Sequence, residues 1–123
     1  MPRAYLHPVL TLAALWAASP AAPAQSVSDY AVRVSAVVQT NPASITLVWP
    51  ANAQATNCLR YRKLRDATAW GAATALATNA TNYVDATVAV GSAYEYRIHR
   101  TCWTGTTNYT SEGYLYAGIA GPL

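Results

Sequence analysis

The chain has 123 residues, 53% of them hydrophobic and only 11% charged. That is one domain's worth, and it excludes a disordered, charge-driven chain. The formal net charge of +3 is too small to imply nucleic acid as a partner.

Residues 1–24 read as a secretory signal peptide. Arg3 supplies a positive start, residues 9–18 form an apolar run, and Ala22-Pro23-Ala24 is a small-residue cleavage site before Gln25. An uncleaved anchor is the alternative, but the run falls short of the ~20 residues a membrane span needs. The expected product is residues 25–123, secreted to a periplasm or the medium, with no membrane span. It keeps seven basic residues against five acidic ones, and His99 is its single histidine.

Beyond residue 25 the pattern is alternation in short runs broken by turn residues, with no amphipathic helix of useful length. Val32, Val34, Ala36 and Val38 alternate with Arg33, Ser35, Val37 and Gln39, and Asn41-Pro42 turns the chain. Ile45, Leu47 and Trp49 follow as one inward face, and Pro50 ends that run by removing a ladder donor. A third strand puts Leu59 and Tyr61 inward, with Cys58, Arg60 and Arg62 opposite. Residues 70–76 suggest a short edge strand, and Tyr83-Val84 a fifth. Gly91-Ser92 makes a tight connection to the clearest strand, in which Tyr94, Tyr96 and Ile98 alternate with Glu95, Arg97 and His99. Residues 104–111 read as a polar loop, and residues 113–119 close the set. Seven strands in about 99 residues mark a small antiparallel sandwich.

Two cysteines in an exported chain most simply form one disulfide, here Cys58 with Cys102. Loop-closure arithmetic values such a link at on the order of 4 kcal/mol. Free thiols or metal ligation are the alternatives.

Catalysis finds little support. His99 lies mid-strand with no nucleophile turn beside it, and a disulfide would remove the thiolate a Cys-His pair needs. Asp85 reads as turn chemistry and Glu95 as a surface partner for Arg62 or Arg97, so no two acids converge for glycoside cleavage. No metal-ligand spacing, phosphate loop or cofactor motif occurs. The chain is therefore expected not to be an enzyme and to need no cofactor.

Recognition is the better expectation, and two surfaces are candidates. Trp103 and Tyr109 flank or sit in the polar 104–111 segment, where a large amphipathic ring area suits a protein or a sugar; local packing of Trp103 over the disulfide is the plainer alternative. Arg60, Arg62 and Arg97, with His99 alongside, would form a basic sheet face suited to an acidic partner or polysaccharide; a solvated face partly neutralised by Glu95 is the plainer reading. Arg100 and Lys63 share parity with the inward residues and should reach water near strand ends.

These runs together resemble a known family. Ile45-x-Leu47-x-Trp49 is similar to the second strand of a fibronectin type III domain, and Leu59-x-Tyr61-Arg62 to its third. Tyr83 with Val88-x-Val90-Gly91-Ser92-x-Tyr94-x-Tyr96-x-Ile98 is similar to the fifth and sixth. The likeness covers roughly residues 30–120. It implies an all-β, seven-stranded antiparallel immunoglobulin-like sandwich with a Trp49, Tyr96 and Ile98 interior, and Tyr94 as a tyrosine corner bonded back to the preceding bend. It also sets the third and sixth strands side by side, bringing Cys58 near Cys102. The expected faces disagree by one residue there, so a β-bulge is expected within residues 99–101. Most family members lack this cysteine pair, and the Ala-rich fourth-strand region is unusual. Such domains are usually spacers or binding units, which implies a module for protein contact or adhesion. A carbohydrate-binding module, or an inhibitor or accessory subunit of a periplasmic enzyme, are the alternatives.

Overall fold

The computed structural model describes residues 30–121; the signal-peptide reading lies outside them. Seven strands occur in chain order: β1 (Ser35–Thr40), β2 (Ala43–Val48), β3 (Ala55–Leu64), β4 (Thr74–Ala75), β5 (Asn82–Asp85), β6 (Ala93–Trp103) and β7 (Asn108–Gly118). They form two antiparallel sheets, a three-stranded one ordered β1-β2-β5 and a four-stranded one ordered β4-β3-β6-β7. The chain thus leaves the smaller sheet after β2 and visits β3 and β4. It returns for β5, then crosses again to finish with β6 and β7.

The core is built by two alternating segments that face one another. Ile45 and Leu47 come from β2, Trp49 directly follows it, and Tyr94, Tyr96 and Ile98 come from β6; none is more than 4% exposed. Burying each aliphatic side chain contributes about 1.5–3 kcal/mol. Val32, Val88, Ala117 and Ile119 extend this cluster toward the ends. Two turns require left-handed backbone, and glycine supplies it without a Cβ clash: Gly91 at φ +88° before β6, and Gly105 at φ +98° in the β6–β7 hairpin. Gly91 N–H donates to the Ile119 carbonyl at 2.7 Å, tying that turn to the end of the chain. The tyrosine corner forms as expected, with Ala89 N–H donating to the Tyr94 hydroxyl at 2.8 Å.

Three expectations need correction. First, the polar 104–111 loop shrinks to residues 104–107, because the threonines that make it polar are also strand formers and extend β7 back to Asn108. Second, the faces of β3 are reversed. Arg60 and Arg62 lie opposite Ile98 and Tyr96 and so share the inner face, whereas Leu59, Tyr61 and Lys63 lie opposite His99, Arg97 and Glu95 and point outward. Lys63 therefore points outward. Arg100 is inward but does not reach water: it is 1% exposed, and its NH groups donate to the backbone carbonyls of Pro50 at 2.7 Å and of Tyr30 and Ala31 at 3.4 Å.

Third, the ladder from Cys58 to Leu64 is unbroken, and the bulge lies on β3 instead of within residues 99–101. The register slips between Ala55 and Asn57, and the Thr56 hydroxyl donates to the Thr101 carbonyl at 3.2 Å. Both cysteines consequently face inward, each 1% exposed, as separate thiols; the expected bridge is not formed. Cys58 sits directly opposite Arg100 and Cys102 opposite Ala55, so the two are diagonal neighbours. Diagonal Cα positions are ordinarily about 7–8 Å apart, and a disulfide usually holds its Cα atoms at about 4.4–6.8 Å.

Candidate contact face

The corrected register gathers side chains on the solvent face of the larger sheet in three transverse rows. Leu59, His99 and Glu112 form one, Tyr61, Arg97 and Tyr114 the next, and Lys63, Glu95 and Tyr116 the third. Trp103 stands on the same face at the far end of β6, 47% exposed. Between it and the first row, the Thr101 and Thr110 hydroxyls are paired at 3.1 Å.

The connection between β3 and β4 lays a further ring over these rows. Gly71 N–H donates to the Arg62 carbonyl at 3.0 Å, and a Cβ on Gly71 would already press against that oxygen at 3.0 Å. This close approach brings Trp70 down onto the sheet. Its ring stands edge-on to Tyr114, centroids 6.1 Å apart at 88°. Lys63 Nζ lies 5.5 Å and Arg97 Cζ 4.9 Å from its centroid, and Arg97 also stacks over Tyr61 at 4.2 Å. Arg65 covers Tyr116 at 5.4 Å. Each such cation–π contact is worth about 0.5–1 kcal/mol where solvent reaches it.

The face is largely neutralised from within. Lys63 bonds Glu95 at 2.7 Å and Arg97 bonds Glu112 at 2.9 Å, with His99 Nδ1 at 3.8 Å from the same carboxylate. Hydrogen bonds from Lys63 and Tyr114 hold the Glu95 carboxyl below its ordinary value, and the same bond to Glu95 raises the Tyr114 hydroxyl. Arg65 makes no close ion pair among the described residues, acting on Glu95 only from a distance, so this aromatic face keeps a small positive excess at the Tyr116 end.

The expected binding residues separate. Arg97 and Trp103 lie on this face. Tyr109 lies on the opposite face of its hairpin, opposite Cys102, and packs against Tyr30 with centroids 5.2 Å apart; it cannot form one platform with Trp103. Arg60 and Arg62 turn inward, toward the gap between the sheets. Arg60 donates to the Thr74 hydroxyl at 2.9 Å and stacks over Tyr83 at 4.5 Å. Arg62 donates to Asp85 and to the Thr87 hydroxyl, each at 2.8 Å. Together with Gly71, Ala72, Tyr83 and Thr87 they line a groove of about 270 Å³. The four-residue basic patch therefore does not exist as one surface.

Asp85 accepts from Thr87 N–H and hydroxyl at 3.0 and 2.7 Å, which is the expected turn chemistry, and from Arg62 and Tyr96 as well. Burial alone would raise its carboxyl; the hydrogen bonds from Thr87, Arg62 and Tyr96 outweigh burial and bring it to about 2. Glu95 pairs with Lys63, not with Arg62 or Arg97 as expected. Tyr61, expected inward, and Trp70, Tyr114 and Tyr116, which the sequence does not mark as binding residues, make up the main aromatic content of the face. The signal for the last two was present: Gly113 and Ala117 are inward positions, which sends Tyr114 and Tyr116 outward.

No protein-family model matches the chain, and no curated protein does. Among solved structures it is similar to the fn3 domain of human collagen alpha-1(XX) chain, a solution structure. The TM-score is 0.52 at 15% identity, covering 85% of this chain and 92% of that one. The chain has the fibronectin type III fold. It is also similar to a Fn3-like protein from Clostridium thermocellum, with a TM-score of 0.41 and 29% identity over 67% of this chain and 84% of that one. In this fibronectin type III sandwich the fourth strand sits beside the third, on the sheet that carries the aromatic face. No described helix is long and apolar enough to cross a membrane, and no three His, Cys, Asp or Glu of the described residues come together as metal ligands would.

Proposed function

We propose that this fibronectin type III domain is an exported, non-catalytic contact module that docks a protein partner on the outer face of β3, β6 and β7. One observation carries the reading: Tyr61, Trp70, Tyr114 and Tyr116 lie together on that face, interleaved with Lys63, Arg65 and Arg97. Tyr, Trp and Arg are the residue types that dominate binding energy at protein interfaces. Internal ion pairing holds the long side chains in place before a partner arrives, which lowers the ordering cost of binding. Export rests on the leader pattern in residues 1–24, and the non-catalytic role on the kind of module this fold usually forms.

The test is capture of a partner from the native envelope by the immobilised domain. Trp70→Ala and Tyr114→Ala should each abolish capture, and Arg60→Glu, on the inner groove, should leave it intact. Capture that survives both aromatic substitutions would remove this face from consideration. The carbohydrate reading rests on Trp103, whose exposed ring adjoins the Thr101 and Thr110 hydroxyls. A glycan-array signal lost in Trp103→Ala would favour it over protein contact.

A further inference from the structure

We infer that β1 is an assembly edge, on which a second copy of this chain adds its own β1 antiparallel about a two-fold axis at Val37. An edge strand presents unpaired backbone N–H and C=O groups, and proteins ordinarily guard such edges with charge, proline or brevity, or by covering them. The other three edges are guarded: β4 has two residues, β5 has four and carries Asp85, and β7 carries Glu112 and has the backbone of Val32 lying against Gly113. β1 runs six residues, Ser-Ala-Val-Val-Gln-Thr, with none of these devices. Val37 is 65% exposed and Val38 41% exposed.

The occupant follows from charge and register. No outward side chain of β1, β2 or β5 is charged, and the face they share exposes Val37, Val48 and Val84 around Thr46. Two copies can therefore meet along β1 without any like-charge contact. A two-fold axis normal to the sheet keeps outer faces together only if odd-numbered residues face odd ones. Centred on Val37, it sets Val37 against Val37 of the other copy, Ala36 against Val38, and Ser35 against Gln39. These three pairings join apolar to apolar or polar to polar, and only the outermost, Thr40 against Val34, is mixed. The nearest cation, Arg33, falls opposite Asn41 of the other copy, and the two Arg33 side chains start roughly 26 Å apart. That exceeds the screening length of about 8 Å. The cations of the aromatic face lie on the other sheet, so the pairing leaves the proposed contact face open.

Sedimentation velocity on the purified mature chain, across a concentration series reaching the millimolar range, tests this. The expected result is a weak, concentration-dependent dimer, because one strand pair is a small interface. Val37→Lys sets two like charges face to face and should raise the dimer dissociation constant at least tenfold. Circular dichroism should match the parent, since Val37 is mostly in water. As a second arm, Val37→Cys should cross-link to a covalent dimer on mild oxidation, in a background where Cys58 and Cys102 are replaced by alanine. A parent that stays monomeric throughout, a dimer indifferent to Val37→Lys, or a Val37→Cys chain that does not cross-link would each overturn the inference. An extended peptide from a different protein taking the same edge would appear as a monomeric parent.

Discussion

The Asp85 carboxylate of the smaller sheet and the Arg62 guanidinium of the larger meet at 2.8 Å, closing the gap between the sheets where β4 is too short to do so. Asp85 is 2% exposed and also takes a hydrogen bond from the Tyr96 hydroxyl at 2.9 Å. Three elements, β3, β5 and β6, are thus tied at one carboxylate.

Acid should weaken that tie. The folded carboxyl titrates at about 2 against an ordinary 3.8, so its stabilisation is fully present above the unfolded value and is lost as pH falls through about 2. The amount is about 2 kcal/mol. In urea titrations Asp85→Asn should lose about that much at pH 7, and the gap to the parent should mostly close at pH 2. An equal gap at both pH values would show that the carboxylate charge contributes nothing.

Tyr94→Phe removes the hydroxyl that accepts the Ala89 N–H while keeping the buried ring. The domain should stay folded and lose about 1–2 kcal/mol, the cost of leaving an amide donor unsatisfied. Denaturant midpoints at unchanged slope are the measure, and no loss would mean that water replaces the hydroxyl freely.

Gly113→Ala should be among the most damaging small substitutions. A Cβ there would sit 2.3 Å from the Val32 carbonyl oxygen, so the 30–34 segment must move away from β7. Overpacking of this kind costs about 1–3 kcal/mol. Faster amide exchange confined to residues near Val32 would locate the displacement, whereas unchanged exchange would contradict the close approach.

Cys58 and Cys102 should resist alkylation in the native domain. Burial pushes the Cys58 thiol up, outweighing the opposite pull of Arg100. Mass spectrometry should count two labelled thiols after unfolding and almost none before. Absence of label in the unfolded, unreduced chain would instead show that the pair is bridged in solution.

The sandwich was legible because β2 and β6 obey one rule: every second residue from Ile45 to Trp49 and from Tyr94 to Ile98 is apolar and buried. β3 was misread for the same reason. Leu59 and Tyr61 alternate with arginines, so hydrophobicity assigns them inward, yet Arg60 and Arg62 fill the inner edge by stacking their guanidinium groups on Tyr83 and Tyr94. Once β3 is turned over, Tyr61 joins Arg97 on the outside. The contact face was hidden by that single parity, and by Trp70, whose seat depends on a loop geometry that no period reports.

At one pole Arg100 grips the backbone of Tyr30 and Ala31, and at the other Gly121 lies against Gly91. A force applied between those two points runs lengthwise along β6, whose 11 residues span roughly 36 Å. Under tension the strands must slide past one another with many ladder bonds loaded at once, instead of unzipping one by one.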